Sequence, residues 1–225
     1  MRFQDAARDG RAVVYAGIQA DPLVARAAEL LADADPSLRV MARAVMNGES
    51  TDRATWTAMF PTLFGGGDAD TVDRRRADAL LDAALDVAGR GEAVRSQFRG
   101  AIVEELTARL LARRAPPGTV RRERRILFDG VRAEIHPYDV TVERDIASEA
   151  YDCKWGARGI SDDVLYQLDD ARAHAADEEV ELSVTLVVFD ARRSCDVRLA
   201  RSTAPTGATR LLAIETLDEL GRPTP

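Results

Sequence analysis

The sequence predicts an α/β core behind an all-helical N-terminal extension, and three observations carry that expectation. Apolar residues repeat at helical spacing as far as Arg114, Pro116-Pro117-Gly118 then stops the helix, and from Val120 the period is two. A nearly continuous apolar run, Val180 to Phe189, follows a further helical stretch, which is the signature of a buried strand. The resulting order is helix, three strands, helix, strand and a short tail, an alternation that belongs to α/β proteins.

Taken in order, residues 21 to 60 read as short helices. Pro22 suits a first helical position, Leu23, Ala27, Leu30 and Leu31 share a helical face, and a second stretch runs from Pro36 to Met46. Phe64-Gly65-Gly66-Gly67 breaks the chain, and Asp70-Thr71 signals a helix that ends around Gly89 to Gly91. A long helix follows from about Glu92 to Arg114. Val120 to Phe128 is then a strand, Asp129-Gly130 a hairpin turn, and Tyr138 to Glu143 and Ser148 to Trp155 two more strands. Ser161 to Ala176 is helical, and the tail offers short strands near Val197 and Leu211 to Ile214. We divide the chain into a helical extension, residues 1–90, and an α/β domain, residues 91–225.

A net charge of −7 with 46% hydrophobic residues describes an ordinary globular chain and excludes one that coats nucleic acid by bulk charge. It leaves room for a local basic groove. No basic-plus-apolar leader and no apolar run near the roughly 20 residues of a membrane span is present, which points to the cytoplasm and to no membrane partner. Cys153 and Cys195 lack the spacing of a disulfide framework or a zinc site, and read as small buried hydrophobes.

One lysine, Lys154, stands beside thirty arginines. A composition that has replaced lysine nearly everywhere keeps it where a compact ammonium is needed and a flat, permanently charged guanidinium will not serve. Lys154 closes Asp152-Cys153-Lys154 in the strand Ser148 to Trp155. Alternation puts Ala150, Asp152 and Lys154 on one face, with Glu149, Tyr151, Cys153 and Trp155 on the other. In the preceding strand it sets Tyr138, Val140 and Val142 against Asp139, Thr141 and Glu143. A turn centred between Asp145 and Ile146 makes Asp139 the direct partner of Asp152. Opposed carboxylates repel, and a hard divalent cation such as Mg²⁺ compensates them.

On the long helix, Gly100-Ala101-Ile102-Val103-Glu104-Glu105-Leu106 leads into Leu110-Leu111. Gly100 with Glu104 four residues on, then Asp139, then Asp152-Cys153-Lys154 thirteen residues later, resemble the PD-(D/E)XK nuclease superfamily over about residues 92 to 190. The resemblance implies a restriction-endonuclease-like core, a central mixed sheet flanked by helices. It also implies a Mg²⁺ or Mn²⁺ site made by Asp139, Asp152, the Cys153 carbonyl and Glu104, bound directly or through water. Lys154 would orient and help deprotonate the attacking water and stabilise charge on phosphorus, and Gln167 would position the site or a phosphate. Two features depart from the family pattern: Tyr138 separates Pro137 from Asp139, and Ala171 stands where many members carry a tyrosine four residues after the glutamine. By helical phase Glu105 lies in the apolar arc and Glu104 at its edge, whereas the family register favours Glu104; Glu105 is held as the substitute.

The implied activity is metal-dependent phosphodiester hydrolysis, with DNA favoured and RNA as the alternative. Arg109, Arg113, Arg114, Arg121, Arg122, Arg124, Arg125 and Arg132 surround the first hairpin, either as a solvated face or as a phosphate stripe centred on Arg121, Arg122, Arg124 and Arg125. His136 and His174 lack a nucleophile elbow or HxxxH spacing and read as surface or turn residues. Tyr151 and Trp155 read as core. The competing reading is a catalytically silent module that binds nucleic acid or protein, with the N-terminal helices carrying an interface to a second copy or another partner.

Overall fold

A computed structural model describes residues 1–6, 10–65, 71–129, 131–132, 136–206 and 209–222. Its contacts divide the chain into two compact units, Gly10–Leu106 and Met1–Asp9 with Thr107–Pro225. Gly66, Gly67, Asp70 and Gly130, named above as turn or helix signals, lie outside the described residues.

The first unit holds α1 (Gly10–Gln19), α2 (Pro22–Ala32), α3 (Pro36–Asn47), α4 (Arg53–Met59), α5 (Pro61–Phe64), α6 (Val72–Ala88) and most of α7 (Glu92–Ala112). The side chains of Asp21, Asp35 and Asp52 accept first-turn N–H groups of α2, α3 and α4, and Pro22 and Pro36 occupy first-turn positions where an N–H would lack a partner. Thr71 Oγ1 accepts the Arg74 N–H at 3.2 Å and starts α6. α2 and α3 pack on α6, and Leu31, Met41, Met46, Leu80 and Leu81 are fully buried in this unit. The boundary expected at residue 90 lies between α6 and α7, whereas the contacts divide the chain within α7.

The second unit is built on a seven-stranded mixed sheet: β1 (Arg2–Asp5), β2 (Val120–Phe128), β3 (Val131–Arg132), β4 (Tyr138–Val142), β5 (Ala147–Lys154), β6 (Glu181–Val188) and β7 (Arg210–Leu212). The order is β1-β2-β4-β5-β6-β7, with β3 also on β2. Pairing is antiparallel from β1 through β5 and parallel from β5 through β7. Parallel neighbours need crossovers, supplied by α8 (Asp162–Asp177) between β5 and β6 and by α9 (Arg192–Leu199) between β6 and β7. Leu165, Leu168, Ala171 and Ala175 of α8 share one core with Ala150, Val184, Leu186 and Val188 of the sheet. Gly118 makes the turn into β2 with φ of 79°, a left-handed conformation that suits glycine.

Two sequence expectations change. Residues 1–90 are not wholly helical, because Arg2–Asp5 forms the edge strand β1 against β2; four residues with one apolar side chain, Phe3, are too short to show a period. Val197 lies in helix α9, not in a strand: Cys195 buries one face and Arg192 pairs with Asp196 one turn on, at 2.8 Å. Among the described residues, no helix is long and apolar enough to cross a membrane.

Candidate active site

β5 sits between β4 and β6 and carries the two charged residues on which the site rests. The β4–β5 ladder pairs Val140 with Tyr151, Thr141 with Ala150 and Val142 with Glu149. One further step in that register sets Asp139 against Asp152, as the turn centred between Asp145 and Ile146 requires. Ile146, a poor turn residue, is 82% exposed at that turn.

The alternation expected on β4 fails at Asp139. Tyr138 lies in the core beside α8, its hydroxyl donating to the Gln167 carbonyl at 3.4 Å. Val140 is instead paired with Tyr151, whose hydroxyl meets Arg114 on the other face of the sheet. Continuing the β2–β4 register puts Glu123 opposite Asp139, and Glu123 has a left-handed φ of 51°. A non-glycine residue with that φ costs energy, and such kinks re-aim side chains beside functional sites. The Asp139 carboxylate accordingly reaches the end of β5, where its Oδ2 accepts the Cys153 N–H at 2.6 Å.

Asp152 is 4% exposed, and its Oδ1 is ion-paired with Lys154 Nζ. That oxygen is buried, and the lysine ammonium is the partner that compensates its charge. Lys154 keeps 26% of its side chain in solvent. Burial favours its neutral amine, but the fields of Asp152 and Asp139 and the contact with Asp152 outweigh it and hold the ammonium above the usual lysine range. Cys153 turns its thiol away, toward Thr107 Oγ1 at 3.4 Å, so only its main chain can serve the site. Among the described residues, no three His, Cys, Asp or Glu side chains are grouped to hold a metal.

Gln167 is buried on α8, and its Nε2 donates to the His136 carbonyl at 2.9 Å. With the Tyr138 contact, this makes Gln167 an anchor for the segment entering Asp139. Ala171, where the family pattern has a tyrosine, is fully buried in the α8 core, which explains the small residue.

Glu104 belongs to the helical unit. It is buried, and its carboxylate accepts from Tyr15 Oη at 2.6 Å and Gln19 Nε2 at 2.8 Å. Glu105, the substitute, is only partly buried. Gly100, one turn earlier, leaves space for the same tyrosine, since a Cβ there would lie 3.0 Å from Tyr15 Oη. Sequence reasoning missed Tyr15 and Gln19; their spacing of four is a helical pair, but nothing local points it at a carboxylate.

The four arginines assigned to a phosphate stripe have different surroundings. The Arg124 Nε donates to Glu143 at 2.6 Å, and its guanidinium also pairs with Asp5. Its pKa is raised first by the Glu143 hydrogen bond, against the effect of burial. Arg121 is exposed, Arg122 is partly buried, and Arg125 has a buried Nε without an acceptor. Arg132 has no described side chain.

On the other face of β5, Arg114 holds Glu149 with two bonds of 2.9 and 2.5 Å and donates to Tyr151 Oη at 2.9 Å. Burial and the neighbouring Glu149 push the Tyr151 phenol well up. Tyr151 is buried as expected of a core residue, whereas Trp155 is only partly buried and stacks on Phe189, ring centres 5.0 Å apart, just past the strand end. Comparisons of the chain with protein-family models, with curated proteins and with solved structures each find no match.

Proposed function

We propose that the chain is a metal-dependent nuclease of the PD-(D/E)XK kind, hydrolysing phosphodiester bonds in nucleic acid, with DNA favoured and RNA as the alternative. The observation that carries this reading is the buried Asp152, paired with the single lysine of the chain next to the Cys153 N–H that the Asp139 carboxylate accepts. A restriction-endonuclease-like arrangement is part of the proposal. It is supported by antiparallel β2, β4 and β5 running through α8 into parallel β6.

The donor set fits a hard divalent cation. Asp139, Asp152 and the Cys153 carbonyl offer oxygen, and the buried Oδ1 of Asp152 is compensated by Lys154. With two carboxylates, the remaining ligands would be water and substrate phosphate, as Mg²⁺ prefers. Bound there, Mg²⁺ or Mn²⁺ would polarise the phosphoryl oxygen and acidify a water. Lys154, ion-paired with Asp152, would present its positive charge to the attacking water and to the developing phosphorane oxygens. Gln167 holds the entry to Asp139 in place through the His136 carbonyl. Glu104 enters through the family resemblance alone, as does the expectation of 5′-phosphate and 3′-hydroxyl products. A cytoplasmic location and a partner on the N-terminal helices rest on the sequence.

The test is cleavage of linear, circular and single-stranded DNA with Mg²⁺ and with chelator. Cleavage undiminished in EDTA would rule the mechanism out. One observation favours the silent binding module instead: Lys154 already neutralises Asp152 without a metal. A calorimetric titration that detects no Mg²⁺ binding would select that reading.

A further inference from the structure

Lys154 is the last residue of β5, and the chain turns sharply after it. Its carbonyl accepts the Phe189 N–H at 2.8 Å, and Trp155 stacks on Phe189. A 3-10 turn, Ala157–Gly159, then folds back, with Gly159 N–H on the Gly156 carbonyl at 2.9 Å. This turn is fastened at both ends. The buried Asp190 accepts the Ala157 N–H at 3.0 Å, and Arg198 Nε donates to the Ile160 carbonyl at 2.8 Å.

Gly159 lies against the lysine stem. A Cβ at Gly159 would stand 3.0 Å from Lys154 Cβ, 3.0 Å from its Cδ and 3.1 Å from its Cγ. Ordinary carbon contacts are about 3.5 to 4.0 Å. The Cβ of Lys154 cannot retreat, because β5 is paired with β6 along its whole length, and the turn is pinned by Asp190 and Arg198. The atoms free to yield are Cγ, Cδ and the ammonium beyond them.

We propose that Gly159 is a positioning residue: its missing side chain lets the turn lie along the Lys154 stem and fixes the ammonium against Asp152. The inference rests on the nuclease reading for its catalytic consequence, but not for its geometry. A methyl at residue 159 presses on Cβ, Cγ and Cδ of the stem, and a displacement of the ammonium of about 1 Å would suffice to cost an active site about 100-fold in rate.

The lone lysine makes the test direct. Lysine-selective ¹³C labelling gives signals from Lys154 only, and in the wild type its stem should show Overhauser contacts to the Gly159 α-protons. In Gly159→Ala the ε-methylene signal should shift and the inequivalence of its two protons should collapse. Single-turnover cleavage should fall about 100-fold in kcat with KM and Mg²⁺ affinity retained. In a Lys154→Ala background the Gly159→Ala change should produce no further decrease. Absence of the wild-type Overhauser contacts, or an unshifted lysine signal in Gly159→Ala, would overturn the inference, and the first of these needs no variant to fold. If the wild type cleaves nothing, the nuclease reading fails while the lysine signals still decide the role of Gly159.

Discussion

Asp152→Asn is the substitution whose outcome the site geometry fixes most closely, and its sign depends on which neighbour dominates. The carboxylate has Lys154 in direct contact, and the β4–β5 register carried one step past Val140–Tyr151 sets Asp139 across from it. With an effective dielectric of about 20, a unit pair at ~3 Å is worth ~5 kcal/mol and one at ~5 Å ~3 kcal/mol. Attraction to Lys154 therefore exceeds repulsion by Asp139 by ~2 kcal/mol, and the partly solvated ammonium reduces that to ~1 kcal/mol. Without metal, Asp152→Asn should lower stability by about 1 kcal/mol, or roughly 2 to 4 °C in Tm for a chain of this size. With Mg²⁺ at about 100 times its Kd, the wild type should gain ~2.7 kcal/mol and the variant nothing, so the gap widens. Thermal unfolding of both proteins with Mg²⁺ and with EDTA, beside a cleavage assay, reads all these terms. A variant more stable than the wild type in EDTA would show that Asp139 dominates and that the lysine pair does not hold. Equal Mg²⁺ stabilisation of both proteins would place the metal elsewhere.

Lys154→Arg should fold and bind Mg²⁺ but cleave at least 100-fold more slowly, because the planar fork cannot occupy the point held by a compact ammonium; near-wild-type single-turnover rates would make the lone lysine an accident of composition. Replacing Arg121, Arg122 and Arg125 should weaken DNA binding alike on all sequences and reduce the salt slope by about 0.9 for each phosphate no longer neutralised, whereas Arg124→Ala should chiefly cost stability, since Glu143 and Asp5 already hold it. Burial pushes Glu149 up, but the bonds from Arg114 and Tyr151 outweigh it and hold the carboxyl below the usual range. Its stabilisation is therefore complete above the ordinary glutamate pKa of about 4.3 and is lost as pH falls from there through the folded value; acid unfolding of Glu149→Gln should show a flatter fall in that window. Burial first, and then Asp190 and Asp196, push the Cys195 thiol up to about 12, so native protein at pH 8 should not alkylate there, and Cys195 labelling in minutes would contradict its burial.

What the sequence could disclose follows from how local each signal is. The Asp139–Asp152 register is arithmetic on a short turn, and Asp145 and Ile146 suffice to centre it even though Ile146 suits a turn poorly. β5 keeps its alternation because β6 pairs with it throughout, so the shared face of Asp152 and Lys154 is legible from spacing alone. β4 does not keep it: Tyr138 turns to the α8 core while Val140 pairs with Tyr151, and the neighbouring Glu123 of β2 has a left-handed φ that no glutamate announces. The resemblance singled out Gln167, but its bond to the His136 carbonyl joins residues 31 apart in the chain, a tertiary fact. Gly156 and Gly159 announce a tight turn, yet not that the turn folds back onto the preceding lysine.

The two faces of β5 carry buried charge in different ways, and that contrast separates scaffold from site. On one face Glu149 accepts two bonds from Arg114 and one from Tyr151, with Arg144 beside it at 3.3 Å, so its acceptor capacity is well used. A saturated buried network is costly to disturb and has no valence left for a ligand. On the other face, three residues along the same strand, Asp152 is compensated by Lys154, and the β4–β5 register carried one step past Val140–Tyr151 sets a second carboxylate, Asp139, across from it. A strand under selection only for stability would have little reason to bury a carboxylate–lysine pair near a second carboxylate, since an apolar pair of similar volume is commonly as stable. The sparse partnering on the Asp152 face, set against the saturated network on the Glu149 face, is the contrast on which the proposed division into site and support rests.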